Sequence, residues 1–441
     1  MIHLIRIAAG ATVALTLWAS TGPVLAQAAA PGAAPPLDPA RLMQGFPPPP
    51  EYRIHIGNWQ AWPQKIWSFQ HTREIFPTRR LAPVGPVRPL PRALIDLEGL
   101  QVGTPEAPQT WPQMLQAIHV DAALVLHKGR IVEERYLNGM KPTTPHLMFS
   151  ATKSMAGLMA AVLVAEGKLD ANAMVAAVLP ELADSAWAGA TVRQVMDMTD
   201  GVRFTEIYTD PKSDIFPYIG AMGWAPDLKA AGTPAGILGM VATLKTVHDE
   251  PRGSAFRYRS PATDVTAWLA ARAAGMSLTD WLQQRLWNQL GMEHEGNVML
   301  DPVGTEVAFA GMSASARDLA RIGQMLLQRG RVAGRQIIPA AVVDDLIRGG
   351  DVRAFEAAGI THQKGWSYRS QFWVNPNAPR SFSAKGAYGQ RLYVFPDNDL
   401  VVVMLGSHPQ PVAALMDIPH HRAFAALIEH LKRPARTARR P

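Results

Sequence analysis

Cysteine is absent from all 441 residues. That excludes disulfides, thiol nucleophiles and cysteine-ligated metal sites together. It also suits an oxidising compartment, where an unpaired thiol is a liability. Charged residues are few, 18% against a hydrophobic content of 48%. A chain of that composition buries a core rather than staying disordered. Several active-site signatures are missing too: no G-x-S-x-G, no H-E-x-x-H, no G-x-x-x-x-G-K-[ST] and no G-x-G-x-x-G. His294 and the pair His420-His421 lack metal-ligand spacing and read as isolated surface histidines, so neither a metal nor another cofactor is expected.

Long apolar runs are also lacking. The longest candidate, Ile7 to Trp18, is broken by Gly10, Thr12 and Thr16 and is short for a membrane span. With Arg6 before it and Val24-Leu25-Ala26 after it, it reads as a secretory signal over residues 1–26. The expected mature chain is periplasmic or secreted, with no stable membrane span. The formal charge of +7 does not imply nucleic acid: Lys432, Arg433, Arg436, Arg439 and Arg440 cluster at the C-terminus without aromatic residues to stack bases. Residues 433–441 are read as a solvated basic tail.

Between these ends the chain is uneven. Pro31 to Pro50 is proline-rich and extended, and the following stretch stays rich in Pro, Trp and Arg. Residues 27–100 are therefore read as a linker and an irregular extension lying across a main domain at 101–432. Two β-rich runs flank Lys128-Gly129, a hairpin signal; a second hairpin spans Arg391 to Leu405 around a Pro396-Asp-Asn-Asp turn, with Ser381 to Ala387 a strand before it. A helix is expected over about Ala423 to Leu431. The middle is helical: Met155, Leu158, Met159, Val162 and Leu163 keep helical spacing, and Ser315 with Asp318 caps another helix. The pattern predicts an α/β (α+β) fold, one antiparallel sheet built from both chain ends, flanked by helices and carrying a large, mostly helical insertion.

Ser150-Ala-Thr-Lys153 is the only place where a Lys follows a Ser by three residues. Residues three apart on a helix share a face, so hydroxyl and amine can meet. A serine at a helix start also faces backbone N–H groups suited to an oxyanion. A hydroxyl needs a base, and a lysine desolvated by an apolar helix can be one. The bland alternative is an N-cap serine followed by a surface lysine.

The motif resembles the Ser-x-x-Lys signature of serine β-lactamases and penicillin-binding proteins. Phe149-Ser-Ala-Thr-Lys-Ser154, Phe256-Arg-Tyr-Arg-Ser260, Ser313-Ala-Ser-Ala-Arg-Asp-Leu-Ala320 and Gly386-Ala-Tyr-Gly-Gln390 look like the class C-related esterase and nylon-oligomer (6-aminohexanoate-dimer) hydrolase branch. Order and position match over roughly residues 100–432.

The resemblance implies a β-lactamase/transpeptidase-like serine hydrolase that cleaves an ester or amide of a small molecule through an acyl-enzyme, with Ser150 as nucleophile and Lys153 as base. The family's Tyr-x-Asn tyrosine has three possible counterparts, Tyr136, Tyr258 and Tyr368, of which Tyr258 has the order and flanking helix the pattern requires. Ser260 then stands where Asn is usual, as a substrate-binding candidate. Lys-Thr-Gly is replaced by Ala384-Lys385-Gly386. This places Ala387 N–H beside Ser150 N–H in the oxyanion hole (Tyr388 on a one-residue shift) and turns Lys385 toward the opposite face of the strand. Tyr208, in the segment Glu206 to Ser213, is carried over as a second substrate contact. A β-lactamase, a D-Ala-D-Ala peptidase and a non-catalytic binding or sensor protein of the same fold remain as alternatives.

Overall fold

Two β-rich runs, Val120–His127 (β1) and Arg130–Tyr136 (β2), meet at Lys128-Gly129, where φ is 51° and 72°. Positive φ at both turn residues matches the twist of the flanking strands. The computed structural model describes residues 37–229, 231–411 and 414–433. The stretch read as a secretory signal, the start of the proline-rich stretch and nearly all of the basic tail lie outside the described residues.

Five further strands come from the other end of the chain: Ser367–Arg369 (β3), Phe372–Asn375 (β4), Ser381–Lys385 (β5), Arg391–Phe395 (β6) and Leu400–Gly406 (β7). They form one antiparallel sheet in the order β2-β1-β7-β6-β5-β4-β3. The expected sheet built from both ends is therefore present, joined where β1 pairs with β7. Every residue of β7 is buried. That explains its unbroken apolar run: a strand covered on both faces does not alternate.

The helices Lys153–Ala165 (α1), Ser260–Ala274 (α2), Ala316–Leu327 (α3) and Ala414–Lys432 (α4) complete the frame. Ser315 caps α3, accepting from Asp318 N, and α3 lies so close to the sheet that a Cβ on Gly323 would be 2.5 Å from Val401 Cγ1. The other face of the sheet is covered by α4 and by Trp111–Ala117, with Trp111, Leu115, Phe424 and Leu427 packed on Val125, Tyr393 and Val402. No helix among the described residues is long and apolar enough to cross a membrane.

Three details differ from the sequence reading. The terminal helix begins nine residues earlier than expected, at Ala414, because Pro419 has only about one turn before it and so removes little of the hydrogen-bond ladder. His420 is fully buried and stacks on Phe424 at 5.7 Å; burial holds its pKa well below the ordinary value, so it is neutral. The extension is also less irregular than its composition suggests. Its Thr78–Leu81 strand pairs with Gly296–Met299 in a second sheet that continues through Met312–Ala314 to His146–Leu147. The described residues from Asp38 onward form one compact unit.

Candidate active site

The short strand His146–Leu147 leads into a 3-10 turn, Phe149–Thr152, that runs directly into α1. Ser150 thus sits on the tighter turn ahead of the α-helix. Phe149 just before it has φ 45°, a left-handed conformation that typically costs a bulky residue ~1–3 kcal/mol. Packing holds it there: its ring meets Phe69 at 4.7 Å and Tyr388 at 4.9 Å, and stacks on Trp59 at 6.2 Å. Trp59 and Phe69 belong to the extension, which therefore packs behind the Ser150 turn.

Lys153 is 1% exposed. Its Nζ donates to Ser150 Oγ (3.1 Å), Ser260 Oγ (3.0 Å) and the Phe309 carbonyl (3.1 Å). Burial lowers its pKa to about 8, against the opposing pull of Glu206 and Asp264. Near neutral pH a useful fraction of this amine is unprotonated, which an exposed lysine near 10.4 cannot offer.

Among the three candidate tyrosines, the structure brings Tyr258 to this pair. Its hydroxyl interacts with Ser150, Lys153 Nζ lies 5.0 Å from its ring centroid, and burial raises its pKa. Trp373 stacks on it at 5.7 Å and Tyr368 packs edge-on at 6.5 Å. Tyr368 itself is buried with its hydroxyl near Gln371, and Tyr136 donates to Glu134 in the first hairpin. The segment carrying Tyr258 and Ser260 is pinned by the residue between them: buried Arg259 pairs with buried Asp200 at 3.1 Å.

A cavity of about 530 Å³ opens over Ser150, lined by Tyr208, Tyr258, Trp373, Lys385 and Ala387 among others. Gly386 brings β5 to the Ser150 turn. Its backbone is ordinary extended (φ −130°), so the need for glycine there is one of space: a Cβ would fall 2.2 Å from the Met148 carbonyl oxygen. The next residue, Ala387, faces the cavity. Neither its N–H nor that of Ser150 donates to another group of the chain among the described residues. Tyr388 instead turns behind the site, its hydroxyl on Gln60. Gly386→Ala must push strand and turn apart by about 1 Å, and displacements of that size cost ~10²-fold in rate. The expected result for Gly386→Ala is a protein that melts cooperatively yet reacts about two orders of magnitude more slowly at Ser150.

Two residues stand differently from the sequence reading. Ser260 is fully buried behind Lys153, its hydroxyl shared between Lys153 and Glu206, and does not line the cavity. Lys385 does line it: side chains alternate along β5 as expected, but the face that Lys385 takes is the one where α4 supplies Asp417, 3.1 Å away, and the cavity opens there. Tyr208, 38% exposed, lines the cavity and donates to Glu206 Oε1 at 3.0 Å.

Three carboxylates escaped the sequence reading. Glu206 lies two residues before Tyr208, the extended-chain spacing that puts both on one side. Asp264 lies one helical turn after Ser260 and accepts from Tyr218 (2.6 Å) and Phe309 N (3.3 Å); burial raises its pKa to about 7. Asp417 has no local signature at all.

A beta-lactamase family model matches residues 112–426, more than two thirds of the chain. A 6-aminohexanoate-dimer hydrolase from Paenarthrobacter ureafaciens is 32% identical over 357 residues, covering 81% of this chain and 88% of the relative. A solved structure from Bacillus anthracis, assigned as a 6-aminohexanoate-dimer hydrolase, is 28% identical with a TM-score of 0.79, covering 87% of this chain and 98% of its own. A penicillin-binding-protein homologue from Caulobacter crescentus shares the fold at 18% identity, TM-score 0.52, over 70% of this chain and 91% of its own. With a family match of this extent and these relatives, the chain belongs to the beta-lactamase family and is a serine hydrolase related to 6-aminohexanoate-dimer hydrolase.

Proposed function

We propose that the enzyme cleaves an ester or short linear amide through an acyl-enzyme on Ser150. The observation that carries this reading is the buried Lys153 amine, 3.1 Å from the Ser150 hydroxyl with its pKa lowered to about 8. Ser150 Oγ attacks the substrate carbonyl while its proton passes to Lys153. The N–H groups of Ser150 and Ala387 hold the resulting oxyanion. Tyr258, which packs beside Ser150 and Lys153, protonates the departing alkoxide or amine and is reprotonated from Lys153. Water then repeats the attack on the acyl carbonyl, with the same groups reversing roles and Ser150 leaving.

The substrate class follows from what meets the cavity. Its lining is largely aromatic and aliphatic, and Lys385, the ammonium on its wall, is already paired with Asp417. Ser260, in place of the usual Asn, offers a substrate amide nothing because its hydroxyl is engaged elsewhere. Support for a linear amide comes from the named activity of the Paenarthrobacter relative. The site is thus read as favouring simple acyl compounds over β-lactams. The test compares kcat/KM for p-nitrophenyl butyrate and nitrocefin on one preparation. The ester is expected to be turned over faster; nitrocefin well ahead would return the chain to the β-lactamases proper. An exported location is part of this proposal and rests on the pattern of residues 1–26 alone.

A further inference from the structure

Glu206 makes more contacts at this site than its place in an exposed loop requires. Its Oε1 accepts from Tyr208 hydroxyl (3.0 Å) and Ser260 Oγ (2.9 Å), and its Oε2 accepts from Ser260 N (2.6 Å). The loop that carries it is knotted at its base. Thr205 N and Oγ1 both donate to Asp214 Oδ2 at 2.8 Å, and Asp214 N returns to Thr205 Oγ1 at 2.9 Å. Ser213 Oγ donates to the Thr205 carbonyl and accepts from Ile207 N. Glu206 is therefore held in place from both sides.

Proton counting then restricts Lys153. A carboxylate only accepts, so the Ser260 proton is committed to Glu206 and Ser260 Oγ can only accept from Lys153. The Phe309 carbonyl can only accept as well. A neutral amine has two N–H bonds and one lone pair. With the two N–H bonds directed at Ser260 and Phe309, the lone pair is left for Ser150.

We propose that Glu206 is a positioning residue: by fixing the direction of the Ser260 hydroxyl, it leaves Ser150 as the one proton donor that the Lys153 amine can meet, and it ties this arrangement to the Tyr208 loop. The proposal rests on the acyl-enzyme reading above. The charged and titratable groups facing Lys153 are Glu206 from the loop, Asp264 from α2 and the Tyr258 phenol. Both carboxylates favour the ammonium form and burial opposes it.

The isosteric Glu206→Gln separates geometry from charge. The amide oxygen can still accept from Ser260 N, but the NH₂ group then donates to Ser260 Oγ. The Ser260 proton turns toward Lys153 and competes with Ser150 for the lone pair. The experiment measures kcat/KM for p-nitrophenyl butyrate across pH in wild type, Glu206→Gln, Glu206→Asp, Ser260→Ala and the Gln/Ala double variant. Glu206→Gln is expected to lower the high-pH plateau about 10- to 100-fold. Its acid limb should move about one unit lower, because one carboxylate no longer favours the ammonium. Glu206→Asp keeps the charge and restores the limb with part of the plateau. In the Ser260→Ala background the Gln substitution lowers the plateau no further, since the hydroxyl it acts through is gone.

A wild-type plateau and limb in Glu206→Gln overturn the proposal. So does a lowered plateau with an unmoved limb and losses that multiply in the double variant, the behaviour of a merely structural residue. Should Glu206→Gln fail to fold, Ser260→Ala decides: a profile identical to wild type overturns the proposal. Fluorophosphonate labelling of the same wild-type preparation keeps the two readings apart. An unlabelled Ser150 sinks the acyl-enzyme reading, whereas a labelled Ser150 with an indifferent Glu206→Gln sinks this proposal alone.

Discussion

Ser150→Ala is expected to lower kcat/KM for p-nitrophenyl butyrate by about 10⁴-fold or more, as removal of a nucleophile does when the rest of the site survives. The substitution is structurally mild. Ser150 is only partly buried, and its hydroxyl bonds to Lys153 rather than to the frame of the fold. A methyl group fits the same turn, and Phe149 with its surrounding rings is untouched. A loss of activity therefore reports on chemistry, provided that the melting transition is retained.

Lys153→Met is expected to cost about 10²- to 10⁴-fold, the usual contribution of a positioned base. Methionine keeps the volume of the buried side chain and removes the charge, so no cavity confuses the result. The pH profile gives a second reading. Burial disfavours the ammonium and places the Lys153 pKa at about 8, below its ordinary value. The active form is the neutral amine, present above that pKa. In wild type kcat/KM should climb about tenfold per unit toward pH 8 and then level off, whereas Lys153→Met should lose that limb along with the rate. An unchanged limb in the variant would assign the titration to another group, with Asp264 the nearest candidate at about 7.

Much of this site is legible in the sequence because it is local. Ser150 and Lys153 are three residues apart, and their approach follows from helical geometry. The apolar run behind them foretells the burial that lowers the lysine pKa. The sheet is legible for a similar reason, since each hairpin carries its own turn signal and the unbroken apolar run of β7 announces a strand covered on both faces.

What stays hidden depends on distant parts of the chain meeting. Asp417 reaches Lys385 and Arg391 from α4, at 3.1 Å in each case, and no spacing in the sequence predicts that encounter. The orientation of Lys385 is hidden for that reason: side chains alternate along β5, but which face meets the cavity is decided by α4. Trp59 and Phe69 lie in a proline-rich stretch without periodicity, so their place behind Phe149 leaves no pattern to read. Ser260 shows a different limit. A matched position implied contact with substrate, whereas Glu206 and Lys153 claim both capacities of its hydroxyl.

The most direct test of the central claim is intact-mass analysis after exposure to a fluorophosphonate, followed by mapping of the modified peptide. The expected result is one adduct per chain, located at Ser150 and absent from Ser150→Ala. A folded, ester-cleaving wild type that stays unlabelled, or that carries the adduct on a different serine, would contradict it.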